Sequence, residues 1–474
     1  MSYCIIGGGP VGLSLAYVLA NNNYNVVLIE RDNKLGGSWK NEWVDGLYFS
    51  ENSPRVLIFT SYMKRLFNDI GLTPEDYGTV YGSYPNMIMK FIHFFYNIGF
   101  KITDIFVFIR EYMKYSFKNS NITVETWLKH TRFSEGAKRA IRIFCILICD
   151  RSDNTNLQDL FGTIGSKESG GRTLRQFREP DKWHTLIYNH LVKMPNVRIY
   201  LNTEAVQLYE RHGTITGIRC NTQGEIFDIP TYKTFLCTQS NNIIDVVENG
   251  SELVKNNWNS YEWLKNWCET TYYIGFGFSL HFKERVEYPY QWCWSCSGDW
   301  TVIINPVSHW LKTPSRDPEV KTVWSCCIVD MDSPSSVTGK TANQSTRDEV
   351  ISECLRQINS ANPIPEPYKI TTNSQLRREG NVWMSGKTGF SRKTAGYLPI
   401  RGKIDNLFAL GSFTELKGNY VIATFGRSIE AVVRYLNEYE PTLKGFHNPQ
   451  INWNLVVIIL ITLIVIYLMM KRRG

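Results

Sequence analysis

The sequence predicts an α/β fold with helices around a parallel sheet, and three stretches of the chain support this fold class. An apolar run that begins at Cys4 ends in a glycine-rich segment, and a helix-like stretch follows it. A second apolar strand runs from Asn25 to Ile29 and ends at an acidic residue. Far along the chain, residues 406–414 have a third strand pattern, followed by a glycine-containing turn and a helix-like segment. Strands that alternate with helices in this way indicate parallel βαβ units.

The first glycine-rich segment predicts a dinucleotide-binding turn. Gly7, Gly9 and Gly12 have the Gly-x-Gly-x-x-Gly spacing between a strand and a helix. In such a unit Gly7 permits the tight turn, Gly9 lets the backbone approach a pyrophosphate, and Gly12 lets the helix pack on the strand. Pro10 lies inside this turn, where the positive helix N-terminus favours phosphate. Glu30 follows about twenty residues later and is placed to hydrogen-bond a ribose 2′-hydroxyl, so we expect a Rossmann-like domain.

The segment after this acid predicts FAD rather than NAD as the dinucleotide. A second glycine pair, Gly36 and Gly37, stands where a phosphate-facing backbone needs room if the cofactor extends to a flavin. The pattern from Arg31 to Gly37 resembles the flavin-containing amine oxidase superfamily, which includes monoamine oxidases, protoporphyrinogen oxidases and phytoene desaturases. Members carry an Arg-x-x-x-x-Gly-Gly-like motif directly after the ribose acid. The resemblance implies FAD contacts at Arg31, Gly36, Gly37, Ser38 and Trp39.

Two later segments extend the resemblance over most of residues 1–440. The strand that leads to Gly411 and Ser412, and the stretch through Val421, resemble the closing FAD motif of the family. In the family this motif meets the ribityl chain and the flavin ring. A segment ending at Val206 resembles the one whose backbone meets the adenine, which implies a cofactor contact at that residue.

The resemblance also bears on the substrate and on how the flavin is held. Tyr420 matches the tyrosine that forms one wall of the aromatic cage in monoamine oxidases, with Asn419 in place of the glycine before it. Tyr420 is therefore the candidate catalytic residue. The cysteine that carries a covalent flavin in the family has no counterpart, because the last cysteine of the chain is Cys354. We therefore expect noncovalent FAD.

The resemblance implies discontinuous domains, with a mixed sheet in the FAD-binding domain and an α+β substrate domain inserted into it. The expected pieces are 1–75, 176–245 and 385–440 for the FAD-binding domain, 76–175 (mainly helical) and 246–384 (sheet plus helices) for the substrate domain, and 441–452 for a linker. Alternating stretches at 272–282 and 321–329 predict strands of the substrate-domain sheet.

A flavin monooxygenase is the competing family for the first motif. The Gly-Gly-Ser-Trp form of residues 36–39 also resembles those enzymes, which use a second dinucleotide-binding turn for NADPH. Residues 275–280 contain two glycines but lack a third glycine and a following helix, so they indicate a plain strand. The absence of that second turn favours the amine oxidase type.

Two segments predict contact with a lipid bilayer. Residues 455–470 form an uncharged, largely apolar run. A transmembrane helix over 453–470 would be about 27 Å long, near the core thickness of a thin bilayer. The first strand leaves no room for a signal peptide, so we expect a C-terminal tail anchor with the soluble domain in the cytosol. The basic residues 471–473 favour the opposite orientation. Residues 86–115 are apolar and aromatic, and form either a membrane-facing lid or ordinary helices packed inside the substrate domain.

Composition excludes several other classes. The net charge is +8, but no nucleic-acid-binding motif accompanies the short basic tail, so we expect no nucleic-acid partner. The eleven cysteines, without a secretory signal, indicate free thiols in a reducing compartment. Neither Cys293 and Cys296 nor the eight histidines have metal-binding spacing, so we expect no metal site.

Taken together, the motifs predict a membrane-anchored, FAD-dependent oxidoreductase of the amine oxidase type. It would oxidise an amine or a lipophilic small molecule by hydride transfer to flavin N5. The alternative is a phytoene-desaturase-like or protoporphyrinogen-oxidase-like dehydrogenase of C–C bonds, and a further one is a flavin-bound membrane protein with a structural or non-redox role. The sequence leaves the substrate, the electron acceptor, the membrane and the oligomeric state open.

Overall fold

The structure is a computed structural model, and it describes residues 2–49, 61–79, 101–115, 122–147, 151–158, 160–161, 175–287, 294–295, 298–373, 376–385, 390–391, 396–414 and 425–443. The helices of these segments are α1 (Pro10–Asn21), α2 (Ser61–Asp69), α3 (Ile102–Tyr115), α4 (Val124–His130), α5 (Glu135–Leu147), α6 (Lys182–Leu191), α7 (Ile243–Val247), α8 (Glu252–Lys255), α9 (Tyr261–Thr271), α10 (Arg347–Ala361) and α11 (Phe425–Tyr439). The strands are β1 (Tyr3–Ile6), β2 (Val26–Ile29), β3 (Glu42–Val44), β4 (Leu47–Phe49), β5 (Tyr77–Thr79), β6 (Arg175–Phe177), β7 (Val197–Tyr200), β8 (Thr203–Arg211), β9 (Thr214–Thr222), β10 (Glu225–Pro230), β11 (Lys233–Leu236), β12 (Tyr272–Tyr273), β13 (Phe276–Phe282), β14 (Trp294–Ser295), β15 (Ile303–Asn305), β16 (Thr322–Ile328), β17 (Lys369–Thr372), β18 (Leu376–Glu379), β19 (Val382–Ser385), β20 (Phe390–Ser391) and β21 (Leu407–Ala409).

A five-stranded parallel sheet carries the first glycine-rich turn. Its order is β21-β11-β1-β2-β7, so β1 lies at the centre and pairs with β11 and β2. Every residue of β1 and β2 is buried, as expected for parallel strands that are covered on both faces. Side chains alternate between two cores, with Tyr3 and Ile5 in one and Cys4 and Ile6 in the other. The predicted α/β class and parallel sheet are confirmed.

The expectation of a mixed sheet is wrong for the strands that the structure describes. The five strands of this sheet all pair in parallel. The antiparallel strands β8, β9 and β10 form a sheet of their own. Burial alternates along β8, where Thr203 and Ala205 are buried and Glu204 is exposed. A strand with one polar face suits a partly solvated antiparallel sheet better than a sheet covered on both faces.

The parallel sheet collects strands from three distant parts of the chain, between 3 and 29, 197 and 236, and 407 and 409. The division into a three-part FAD-binding domain and an inserted substrate domain stays a prediction. At the ends of the predicted first insert, β5 and β6 pair with each other. The two ends of this insert therefore lie side by side. The exact domain bounds stay a prediction.

A second sheet, in which the described strands all pair antiparallel, has the order β14-β15-β16-β13-β17. All residues of β13 and β16 are buried, and the two strands pair from Phe276–Ile328 to Phe282–Thr322. Helix α10 packs against this sheet with Val350 and Cys354 in its core. The strands predicted within 272–282 and 321–329 are therefore present. The glycine-containing stretch at 275–280 lies largely in β13, a plain strand as predicted.

Helices α3, α4 and α5 share a small core of their own around Trp127. The indole Nε1 of Trp127 donates to the buried Glu111 carboxylate of α3 at 3.2 Å. One face of α3, with Phe108 and Tyr112, packs into this core. Most of the predicted lid segment before residue 101 lies outside the described residues. Among the helices that the structure does describe, none is long and apolar enough to cross a bilayer, and residues 453–470 lie outside those segments.

Candidate dinucleotide-binding site

Glycine is required in the first turn by close contacts between backbones. Gly7 has a φ of +109°, and a Cβ there would lie 2.6 Å from the carbonyl oxygen of Cys237 at the end of β11. A Cβ on Gly12 would lie 1.9 Å from the carbonyl oxygen of Gly7, so a larger residue would push α1 off the turn. At Gly9 the nearest described atom to such a Cβ is Gly37 Cα at 3.7 Å, an ordinary contact. The protein itself therefore does not demand glycine at this position, and the free space suits a close ligand.

The N-terminus of α1 is suited to an anion. Gly9 occupies the N-cap position without a side-chain hydrogen bond, and Pro10 begins the helix. The first intrahelical bond runs from the Leu13 amide to the Gly9 carbonyl at 2.9 Å. Because the first turn carries no acidic side chain, its amides and the helix dipole present positive potential to a phosphate.

Glu30 lies directly beside the glycine turn. Its Oε2 accepts a hydrogen bond from the Gly8 amide at 2.6 Å, and its Oε1 accepts one from the Asp32 amide at 2.9 Å. Burial raises the pKa of this carboxyl, although both hydrogen bonds act in the opposite direction. Each carboxylate oxygen keeps a second lone pair, so Glu30 can still accept from a ribose hydroxyl.

The structure brings the second glycine pair onto the first turn. The Gly36 amide donates to the Gly8 carbonyl at 2.9 Å. Both glycines have positive φ, +115° for Gly36 and +54° for Gly37, and a Cβ on Gly37 would lie 2.8 Å from Gly9 Cα. The two turns therefore touch through backbone atoms, without side chains between them.

Ser38 and Trp39 complete a 3-10 turn that starts at Gly37. Trp39 is buried and meets the ring of Phe425, the first residue of α11, edge-on at 5.2 Å between centroids. Arg31 points elsewhere: its guanidinium lies 3.9 Å from the Glu204 carboxylate on β8, and both side chains are about half exposed. Its predicted contact with the cofactor stays a prediction.

An acidic centre that the sequence analysis missed holds the loop with Gly36 and Gly37 in place. Asp181, just before α6, accepts from the Asn41 amide at 2.8 Å, from Lys34 Nζ at 2.5 Å, and contacts His184 Nε2 at 3.1 Å. Burial alone would raise the pKa of Asp181, but these three hydrogen bonds hold that pKa well below its usual range. We call Asp181, His184, Lys34 and Asn41 the Asp181 clamp. No spacing rule links Asp181 to Lys34 and Asn41, because these contacts join parts of the chain that are 140 or more positions apart.

His184 is the part of the Asp181 clamp that touches the glycine pair. Its side chain is buried, and a Cβ on Gly36 would lie 2.7 Å from His184 Cδ2. Burial lowers the pKa of His184, partly offset by Asp181. The buried imidazole therefore supports the loop by packing against Gly36.

Val206 lies on β8, the strand whose first residue contacts Glu30. The amide of Thr203, which begins the same strand, donates to the Glu30 carbonyl at 3.0 Å. The β8–β9 register shifts between Ala205 and Gln207, so Val206 falls at a bulge. Its carbonyl accepts from Asn249 Nδ2 at 3.1 Å. A bulge of this kind takes backbone groups out of the ladder, where a ligand can reach them.

Gly411 and Ser412 form the turn after β21. A Cβ on Gly411 would lie 2.2 Å from the ring of Phe413, so this turn also needs glycine. The Ser412 carbonyl accepts from Nε of the buried Arg427 at 3.0 Å, which fixes the turn to the first turn of α11. Tyr420 and Val421 lie outside the described residues.

In the described part of the chain, no group of His, Cys, Asp or Glu residues is arranged to hold a metal ion. The described cysteines are buried, and Cys293 and Cys296 are outside the described residues.

Comparisons with known proteins agree with this geometry. A family model described as an NAD(P)-binding Rossmann-like domain matches residues 5–70, which include both glycine turns and Glu30. The first part of the chain is therefore a Rossmann-like dinucleotide-binding domain. The comparison with curated protein sequences finds no match.

Solved structures share the fold over most of the chain. An oxidoreductase from Methanosarcina mazei has a TM-score of 0.64 at 14% identity, with 92% of this chain and 100% of that chain covered. Cyclohexylamine oxidase from Brevibacterium oxydans has a TM-score of 0.57 at 13% identity, covering 91% and 97%. A protein provisionally assigned as a protoporphyrinogen oxidase from an Exiguobacterium species has a TM-score of 0.56 at 11% identity, covering 92% and 98%. At these identities the comparison establishes that the chain has the fold of these oxidases.

Proposed function

We propose that this protein is an FAD-dependent oxidoreductase of the amine oxidase type that binds FAD noncovalently. The observation that carries the proposal is the contact between the two glycine turns, Gly7–Gly9 and Gly36–Gly37. A nicotinamide dinucleotide needs the first turn and its helix. The second turn adds exposed backbone at the same place, which suits a cofactor that continues past the pyrophosphate. The same fold in cyclohexylamine oxidase supports this function.

Each part of the site would have a separate role toward FAD. The amides at the start of α1 would bind the pyrophosphate, Glu30 a ribose hydroxyl, and the backbone at Val206 the adenine. The turn at Gly411 and Ser412 would lie along the flavin end. Bound there, FAD supplies an acceptor for a hydride equivalent from the substrate. The chain has no cysteine after Cys354, which agrees with noncovalent binding.

For the substrate, we propose an amine or a lipophilic small molecule, with Tyr420 as one wall of the binding cage. The second candidate is a dehydrogenase of C–C bonds, supported by the fold shared with the protein provisionally assigned as a protoporphyrinogen oxidase. A flavin-bound protein without redox turnover is the third.

We also propose that the protein binds a membrane through residues 453–470, with the soluble part in the cytosol. Helix α3 supports a second contact. Its outer face carries four apolar side chains that are 48–76% exposed, Ile102, Phe106, Ile109 and Met113. Basic residues next to them are exposed, whereas both acids of the helix, Asp104 and Glu111, are buried. An apolar stripe with a basic rim is typical of helices that lie on anionic lipid surfaces. Helix α3 would therefore pack inside the substrate domain with one face and contact the membrane with the other.

Anaerobic reduction of the bound flavin tests this function. The FAD-loaded protein is mixed in detergent with cyclohexylamine, protoporphyrinogen or phytoene, and the visible flavin absorbance is followed. Loss of absorbance with the amine supports the leading proposal, and Tyr420→Phe should slow that reduction without weakening FAD binding. Reduction by the porphyrinogen or the polyene alone supports the second candidate. A bound flavin that none of them reduces favours the third, and a protein that takes up no FAD refutes the proposal.

A further inference from the structure

A continuous row of polar side chains crosses the second sheet. Asn305 of β15 pairs with Ser325 of β16, Ser325 pairs with Ser279 of β13, and Ser279 pairs with Thr371 of β17. Residues directly opposite each other in an antiparallel sheet point to the same face. These four side chains, which we call the polar row, therefore lie side by side. All four are buried, with 0–5% of their surface exposed.

Most of the polar row has no hydrogen-bond partner in the part of the chain that the structure describes. Both side-chain polar atoms of Asn305 and the hydroxyls of Ser279 and Ser325 are buried and unpaired. His281, one pleat along β13, contacts Thr371 Oγ1 through Nε2 at 3.0 Å, while its Nδ1 is also unpaired. An unsatisfied buried polar group costs about 1–3 kcal/mol, and native proteins rarely leave several together. Such a row requires polar partners from a ligand or from ordered water.

The polar row lies on the face of the sheet that carries the β3–β4 hairpin. The other face of β13, with Phe278 and Leu280, belongs to the core that α10 covers. On the face of the row, the next cross-strand pair is His281 and Val323, and Val323 packs against Leu47 of β4. The β3–β4 hairpin follows directly on the loop with Gly36 and Gly37. The same segment of the chain therefore supplies both the loop with Gly36 and Gly37 and the hairpin beside the polar row.

The polar row is uncharged. It contains two serines, a threonine and an asparagine, and burial lowers the pKa of the neighbouring His281 to about 4, so that imidazole is neutral at pH 7. A cation buried against this row would find no counter-charge on it, which is costly. A hydrocarbon would leave its donors and acceptors unpaired. The chemistry therefore matches a neutral group that both donates and accepts hydrogen bonds.

We infer that the polar row binds an uncharged hydrogen-bonding group of the substrate, such as an amide, a hydroxyl or an unprotonated amine. This inference rests on the proposed function, because it assigns the row to the substrate site of the same oxidoreductase. It selects, among amines and lipophilic molecules, those that carry a neutral polar group, and it disfavours pure polyenes.

Calorimetric titration with three probes of similar size tests the inference. Benzamide presents a neutral donor and acceptor, benzamidine presents a cation without an acceptor, and ethylbenzene presents neither. We expect FAD-loaded protein to bind benzamide at least about tenfold more tightly than the other two, which corresponds to about 1.4 kcal/mol. Asn305→Leu and Ser279→Ala should remove this preference.

The matched control is Thr372→Val. Thr372 is buried and its hydroxyl is also unpaired, but it lies opposite Phe278 and so points to the other face of the sheet. This variant should keep the preference for benzamide. If Asn305→Leu fails to fold in urea titration, Ser279→Ala carries the test.

Two results would overturn the inference. In one, benzamide binds no more tightly than ethylbenzene or benzamidine, which would mean that ordered water alone satisfies the row. In the other, the preference survives both substitutions or is lost equally in Thr372→Val. If the protein takes up no FAD before any probe is added, the proposed function itself has failed, and this is visible in the absorption spectrum.

Discussion

Replacement of Gly37 by alanine should weaken FAD binding as well as the fold. The added Cβ would lie 2.8 Å from Gly9 Cα, whereas ordinary contacts begin at 3.4 Å, so the two turns must separate by about 0.6 Å. The positive φ of +54° adds a backbone strain of about 1–3 kcal/mol. Displacement of a cofactor-binding backbone by this amount should raise the Kd for FAD at least about tenfold, or about 1.4 kcal/mol. Fluorescence titration of the apoprotein with FAD measures this Kd.

Gly213→Ala is the matched control. Gly213 also has a positive φ, +77°, but lies in the β8–β9 turn with no atom within 4 Å of an added Cβ. It should have a similar strain cost in the free energy of unfolding and leave the Kd for FAD unchanged within about twofold. The reasoning is refuted if Gly37→Ala binds FAD as the unchanged protein does, or if Gly213→Ala loses affinity to the same extent.

Three further predictions concern the surroundings of the site. Asp181→Asn should cost about 2–4 kcal/mol in urea unfolding and raise the Kd for FAD, because an amide cannot accept all three hydrogen bonds of the Asp181 clamp. Asp76→Asn is the control, because it breaks the ion pair to Lys182, the residue that follows Asp181 and begins α6. This variant should lose stability without a change in the Kd for FAD. An equal change of Kd in both variants would contradict the role of the clamp. The folded-state pKa of His281 is lowered from 6.5 to about 4, so the unfolded chain binds the proton first as the pH falls and stability is lost below pH 6.5. The loss should reach about 2 kcal/mol near pH 5 and disappear in His281→Gln, and an unchanged pH profile in that variant would refute the assignment. In protein that lacks residues 453–474, and so the proposed anchor, Phe106→Glu should reduce sedimentation with anionic vesicles about tenfold, whereas Val337→Glu, at another exposed apolar side chain, should not. Equal losses would argue against membrane contact through α3.

The parts of the site that could be predicted from sequence are those set by local chain geometry. The turn from Gly7 to Gly12 and the acid Glu30 belong to one βαβ unit, so their spacing alone places them together. The second glycine pair is close in sequence as well, and the structure brings it onto the first turn. The contact predicted for Arg31 depends on side-chain direction, and the ion pair with Glu204 on a distant strand draws that side chain to β8.

The Asp181 clamp and the polar row could not be predicted in this way. The clamp joins the start of α6 to a loop near the start of the chain, and no periodicity in the sequence predicts such a contact. In β13 the sequence Phe-Gly-Phe-Ser-Leu-His-Phe alternates like a strand with one solvated face. All seven residues are nevertheless buried. Burial of the polar face depends on tertiary packing, which the sequence of the strand does not reveal. This burial is what makes the polar side chains of an ordinary amphipathic strand a candidate binding surface.

The flavin content of the purified protein tests the central claim most directly. The protein is reconstituted with FAD, separated from free cofactor, and precipitated with acid, and the supernatant is analysed by chromatography. We expect close to one FAD per chain, all of it in the supernatant, because the proposed binding at the two glycine turns is noncovalent. Absence of FAD after reconstitution, or flavin that stays with the precipitated chain, would contradict the account.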